Sequence, residues 1–173
     1  MYRPDWYNTS DLHQAWGLLL DAAEASIQDG GCHVDAPLIF DIVDVGREYI
    51  SVAPCLVAYD ALVAADSASS IAAANATMST LMDDVNALLQ TSAGFLLGQW
   101  VADARQLAVA SGAPHDADFL EWNARSQVTS WEPVTGECGG TTQMTGLWDY
   151  GNKAWAGLVS PYYKRRRVNA KAR

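Results

Sequence analysis

Apolar residues return every three or four positions along most of the chain, and Gly or Pro stands where each such run stops, so the pattern predicts a protein built of α-helices. Alternating β-branched runs of useful length are missing. The first helix takes Ser10 as N-cap, with Asp11 behind it and a stripe of Leu12, Ala15, Trp16, Leu19 and Ala23, and ends before Asp29-Gly30-Gly31. Asp35 caps the second, Pro37 sits in its first turn, and Ile39, Ile42, Val43, Gly46, Tyr49 and Ile50 form its inner face. Pro54 removes a backbone donor and crowds the preceding turn, so it kinks or divides this helix, which resumes over 56–65. An Ala-rich third helix follows over about 70–90, with Ile71, Met78, Leu81, Met82, Val85, Leu88 and Leu89 on one side.

The fourth helix, over 95–111, has the cleanest stripe: Leu97, Trp100, Val101, Ala104, Leu107 and Ala108. Gly112-Ala113-Pro114 stops it, and Asp116 caps a fifth that ends near Ser130 and turns Phe119, Trp122 and Val128 to the core. After a Gly/Thr loop over 135–146, a sixth helix starts near Trp148 and gathers Trp148, Trp155, Leu158, Val159 and Tyr162 on one side. Short connections between long helices predict an all-α fold, an antiparallel bundle of about six helices.

Composition sharpens this picture. No apolar run reaches the ~18 residues of a membrane span, because the best candidate, 95–110, is broken by Gln99, Asp103, Arg105 and Gln106. The opening MYRPDWYNTSD lacks the basic and apolar stretches of a signal peptide. The formal charge of −9 is unevenly spread: six of the eleven basic residues lie in KRRRVNAKAR at the end, leaving five against all twenty acidic residues before it, a balance of about −15. So acidic a domain repels nucleic acid, and 164–173 reads as a solvated, disordered basic tail on a domain spanning 1–163. Cys32, Cys55 and Cys138 have no CxxC spacing and His13, His33 and His115 are scattered, so neither a metal site nor another cofactor is predicted.

The candidate chemistry lies between Phe119 and Tyr163. Here Trp122, Trp131, Trp148, Tyr150, Trp155, Tyr162 and Tyr163 are interleaved with Asn123, Arg125, Asp149, Asn152 and Lys153. A pyranose has apolar C–H patches on its faces and hydroxyls round its rim, so aromatic faces beside fixed polar groups suit a sugar. The five glutamates, Glu24, Glu48, Glu121, Glu132 and Glu137, read as solvated residues, and the pairs Asp41/Asp44 and Asp83/Asp84 as cover for outward helix faces; no catalytic residue is assigned.

Five stretches, WYNTSDLHQAWGLLLDAA, IFDIVDVGREYI, FLLGQWVADARQLA, NARSQVTSW and DYGNKAWAGLVSPYY, occur in the order in which similar stretches occur in the C-terminal helical domain of the α-N-acetylglucosaminidases. The chain resembles that domain over most of 6–163. The resemblance implies a part of a lysosomal or secreted glycoside hydrolase that removes terminal N-acetylglucosamine from heparan sulfate. In that family two glutamates of a preceding (β/α)8 barrel carry out a retaining reaction. A barrel takes about 250 residues, so it is the implied partner, together with an N-acetylglucosamine-terminated glycan, and the chain alone is expected to be inactive.

By the same resemblance Trp131 and Tyr150 are the candidate sugar contacts on one wall of the cleft, supported by Arg125 and Asp149, which form a pair unless Arg125 takes a helix-end carboxylate instead. Asn8 and Asn75 head N-glycosylation sequons, in keeping with a secretory parent. The turn between Trp131 and Asp149 is longer than the family's, and after Tyr163 the family's proline-arginine-tryptophan turn gives way to the basic tail. The second reading is a free-standing helical interaction module without catalysis; a third, anion binding driven by the tail, predicts steep salt dependence.

Overall fold

The computed structural model describes residues 8–29, 34–129, 151 and 153–165. Among them are six α-helices and no strand: α1 (Thr9–Gln28), α2 (Ala36–Val52), α3 (Pro54–Ala64), α4 (Ala68–Leu89), α5 (Leu97–Ala110) and α6 (Ala117–Gln127). The all-α reading holds, but the six differ from those expected. Pro54 divides rather than kinks: α2 ends at Val52 and α3 begins with the proline at its first position. The expected sixth helix does not form over the described part of its range. Residues 153–155 have no regular structure, and a π-helical segment, Val159–Lys164, follows. One cause is local: Ala156 pairs with Leu96 in an isolated bridge, its N–H donating to Phe95 O at 2.8 Å, and Gly157 adopts φ 92°, a conformation that a helix cannot contain.

The described residues fall into two compact units, one of 1–96 with 155–173 and one of 97–154. The first is built on α4, whose Ala74, Met78, Met82, Val85 and Leu89 recur at helical spacing and are all buried. With Met78, Met82, Val85 and Leu89 pack Val43 of α2, Cys55 and Ala58 of α3, Phe95, Ala156 and Val159. α4 starts two residues earlier than predicted because Ser67 caps it: Ser67 Oγ accepts the Ser70 N–H at 3.2 Å, and Ser70 Oγ accepts the Ser67 N–H at 3.1 Å. Likewise Asn8, not Ser10, caps α1, its Oδ1 accepting the Ser10 N–H at 3.0 Å.

α1 lies on α2 through aromatic contacts, His13 stacking on Tyr49 at 4.7 Å between centroids and Trp16 tilting against Tyr49 at 5.8 Å. The Trp16 indole sits where α2 has no side chain, over Gly46. Phe40 stacks on Phe95 at 4.8 Å, and the Arg47 guanidinium lies 5.2 Å from the Phe95 ring centre while pairing with Asp44. No helix among the described residues is long and apolar enough to cross a membrane.

In the second unit, α5 closes on Gly112 at φ 77°: the Ala113 N–H reaches Ala108 O at 2.9 Å and the Gly112 N–H reaches Val109 O at 3.1 Å, the paired bonds of a Schellman cap. Leu97, Val101 and Ala108 of α5, with Ala124 and Val128, are buried. The Trp100 indole N–H donates to Ala124 O at 3.0 Å, and Arg105 reaches back to Asp118, so contacts advance along α5 as they retreat along α6. Four expected core assignments fail, two on each helix. Trp100 and Leu107 of α5 are exposed, as are Phe119 and Trp122 of α6, whose buried face is that of Ala124 and Val128.

Candidate functional site

α6 leads the chain toward the predicted sugar contacts and is the element on which the polar geometry can be read. Trp131, Asp149 and Tyr150 themselves lie outside the described residues, as do Trp148 and Asn152. The described approach to Trp131 is firm: Thr129 Oγ1 donates to Arg125 O at 2.8 Å and its N–H to Ser126 O at 3.2 Å, closing α6.

Arg125 finds a helix carboxylate on its own helix. Its Nε donates to Glu121 Oε1 at 2.8 Å and its Nη2 approaches the same oxygen at 2.7 Å. The other carboxylate oxygen, Oε2, takes Arg105 Nη1 of α5 at 2.6 Å, and the same Nη1 donates to Asp118 Oδ1 at 2.8 Å. Glu121, expected to be merely solvated, is thus the hub of a four-residue charge lattice that ties the two helices together. The Glu121–Arg125 half was visible in the sequence as an i, i+4 acid-before-base pair. The Arg105 half depends on how the turn folds and left no sequence signal.

The Arg125 and then the Arg105 hydrogen bonds hold the Glu121 carboxyl below the usual carboxylate range. Glu121 in turn, with Asp118, raises the Arg105 guanidinium. Both oxygens of the Glu121 carboxylate are thus taken up in joining α5 to α6.

A second clamp fixes the returning chain on α4. Asp83, also expected to do no more than cover a surface, accepts from Lys164 Nζ at 2.5 Å and from Ser160 Oγ at 3.0 Å, and Asn86 Oδ1 accepts the Gly157 N–H at 3.2 Å. Lys164 first, and Ser160 after it, depress the Asp83 carboxyl. The aromatic residues of the segment are sorted by these contacts. Trp155 and Tyr163 pack on the core of the first unit, and Tyr162 meets Tyr163 edge-on at 5.1 Å. Phe119 and Trp122 stack outward on α6.

Both clamps belong to the pH dependence of stability. Folded-state values below the unfolded ones mean stabilisation fully present above the unfolded carboxylate values of ~3.9 and ~4.3, and lost as pH falls through the folded values. The melting temperature is therefore expected to drop more steeply below about pH 4 in the native chain than in Glu121→Gln or Asp83→Asn, and the difference to shrink in high salt because the pairs are exposed. Parallel pH profiles for native and variant chains would remove the lattice from the account.

Of the two sequons, Asn8 is exposed, with its Oδ1 engaged in the α1 cap, while Asn75 sits half-buried within α4 rather than on a surface loop. Cys55 is buried on α3, and Cys32 and Cys138 lie outside the described residues. Among the described residues no group of three or more His, Cys, Asp or Glu side chains could hold a metal ion.

Residues 1–168 match the family model described as the alpha-N-acetylglucosaminidase (NAGLU) C-terminal domain. The chain is 32% identical over 164 residues to alpha-N-acetylglucosaminidase of Homo sapiens, an alignment covering 93% of this chain and 20% of the human protein. It thus spans about a fifth of the length of that relative. No solved structure gives a significant match.

Proposed function

Because the chain belongs to the alpha-N-acetylglucosaminidase C-terminal domain family, we propose that it forms one wall of the sugar-binding cleft of an α-N-acetylglucosaminidase-like glycoside hydrolase. The single observation that carries this reading is the continuous similarity over 93% of the chain to a stretch that is only a fifth of the human enzyme. The domain acts on a terminal N-acetylglucosamine, as in heparan sulfate degradation, when joined to a (β/α)8 barrel that carries both catalytic carboxylates. Retaining hydrolysis needs two carboxyl groups ~5–5.5 Å apart, one as nucleophile and one as acid then base. Glu121, on the helix that precedes the aromatic segment, has both carboxylate oxygens engaged by Arg105 and Arg125, in keeping with a structural role in this domain.

In this reading Trp131 and Tyr150 contact the sugar. Arg125, paired with Glu121, stiffens the helix that precedes Trp131, and Arg125 and Asp149 support the pocket. The parent works in a lysosomal or secreted setting, to which the exposed sequon at Asn8 is suited. Residues 1–163 are the working domain and 164–173 a basic tail.

The test is Trp131→Ala in the complete enzyme. Losing one indole face from a pyranose removes about 1–2 kcal/mol of apolar contact at ~25 cal/mol per Å², so kcat/KM for an aryl N-acetylglucosaminide falls roughly 5- to 30-fold. The far-ultraviolet circular dichroism spectrum and the melting temperature stay near those of the parent. Unchanged kcat/KM would sink the assignment of Trp131 to the pocket.

A further inference from the structure

α6 presents two apolar stripes where a surface helix ordinarily has one. Its inner stripe, Ala124 with Val128 just beyond the helix end, is buried, while Phe119 and Trp122 on the far side are 61% and 54% exposed. The two rings stack on one another at 6.0 Å between centroids and 28° between planes. They form a ridge rather than two separate flat platforms. A pyranose needs an open ring face; a ridge of two overlapping rings suits an apolar groove.

The charges beside the ridge are already satisfied. Asp118 and Glu121, each next to one of the aromatic residues in sequence, are paired with Arg105 and Arg125. Covering the ridge would therefore leave no charge in this lattice without a partner, which is the condition that usually makes a charged rim costly to dry.

Resting on the reading that this chain is one domain of a larger glycosidase, we infer that the Phe119–Trp122 ridge is the seat on which the remaining polypeptide of that enzyme docks, through an apolar groove poor in charge. Size selects a tethered occupant. With 61% and 54% of their surface exposed, the two residues offer roughly 200–300 Å² between them, whereas a free partner or a second copy of the chain needs about 1,600 Å² in total to form a stable interface. A partner in the same chain needs far less, because the link supplies a high effective concentration. Four fifths of the human relative's length lies outside the matched region, so such a partner is available in that architecture.

Hydroxyl-radical footprinting read by mass spectrometry tests this on two proteins, the 173-residue chain and a complete enzyme in which the chain is joined to the barrel-bearing part of a family member. Phe119 and Trp122 are expected to be oxidised rapidly in the chain and at least about tenfold more slowly in the complete enzyme. Trp122→Asp should lower the melting temperature of the complete enzyme by several degrees and that of the 173-residue chain hardly at all. Equal oxidation in the two proteins overturns the inference. So does protection in the 173-residue chain alone, whether it follows dimer formation seen by sedimentation or the addition of N-acetylglucosamine. Hydrolysis of an aryl N-acetylglucosaminide by the same preparations separates the two readings: slowed oxidation without hydrolysis leaves the docking seat standing and removes the enzymatic reading, and hydrolysis without slowed oxidation does the opposite.

Discussion

Leu89→Ala is expected to lower the stability of the chain by about 2–5 kcal/mol, the range for emptying a large core position. Leu89 has 0% exposure, at the end of the buried face of α4, in the cluster that also holds Val43, Cys55, Met78, Met82, Val85, Phe95, Ala156 and Val159. The cluster draws on α2, α3 and the returning segment as well as α4, so a void opened in it is not expected to close by moving one element alone. Leu18→Ala supplies the control. Leu18 is 62% exposed on α1, and its truncation should change stability by no more than about 0.5 kcal/mol. Urea unfolding at constant slope measures both, and comparable midpoints for the two variants would show that the cluster does not carry the fold.

Gly46→Ala is the second large effect, and its sign is the informative part. In an open helix this change stabilises by about 1 kcal/mol because alanine leaves less backbone freedom to lose. At Gly46 an added Cβ would stand 2.6 Å from Trp16 Nε1, 2.7 Å from Trp16 Cε2 and 3.0 Å from a Leu88 methyl, so the indole or α1 itself must move. The expected result is a loss of about 1–3 kcal/mol, typical of forcing atoms into a packed contact. Gly17→Ala and Gly98→Ala, where an added Cβ meets nothing within 4 Å, should hold or raise the melting temperature. If all three alanine variants are stabilised alike, the close approach of α1 to α2 through Trp16 is wrong.

Where the sequence was a good guide, the physics was local. The α4 stripe, the stop at Gly112 and the break at Pro54 each follow from residues within a turn of one another. The cap shifted by two residues at α1 because Asn8 competes with Ser10 for the same role. Periodicity failed at α6, where two apolar stripes coexist and hydropathy has no means of choosing between Ala124 and Trp122. It failed again at 153–158. There Trp155, Leu158 and Val159 are spaced like a helix, yet a bridge to Leu96 and the left-handed Gly157 set the backbone; that glycine was the available signal. The Arg105–Glu121–Asp118 contacts join residues across a turn and were invisible beforehand. Of the candidate site, Trp131, Asp149 and Tyr150 were found by likeness to a family rather than by geometry, and they lie outside the described residues.

The pairing of Leu96 with Ala156 makes the second unit an insertion into the first, and so sets a timetable for synthesis. A nascent chain that has already wound α1 to α4 still lacks Ala156 and Val159, two residues of the core those helices surround. At ~5–20 residues per second, translating the intervening stretch takes about 3–12 s. During that interval the earlier helices wait with part of their interior open to water or to a chaperone, while α5 and α6, joined by Trp100–Ala124 and Arg105–Asp118 across one short turn, have the means to form their own contacts.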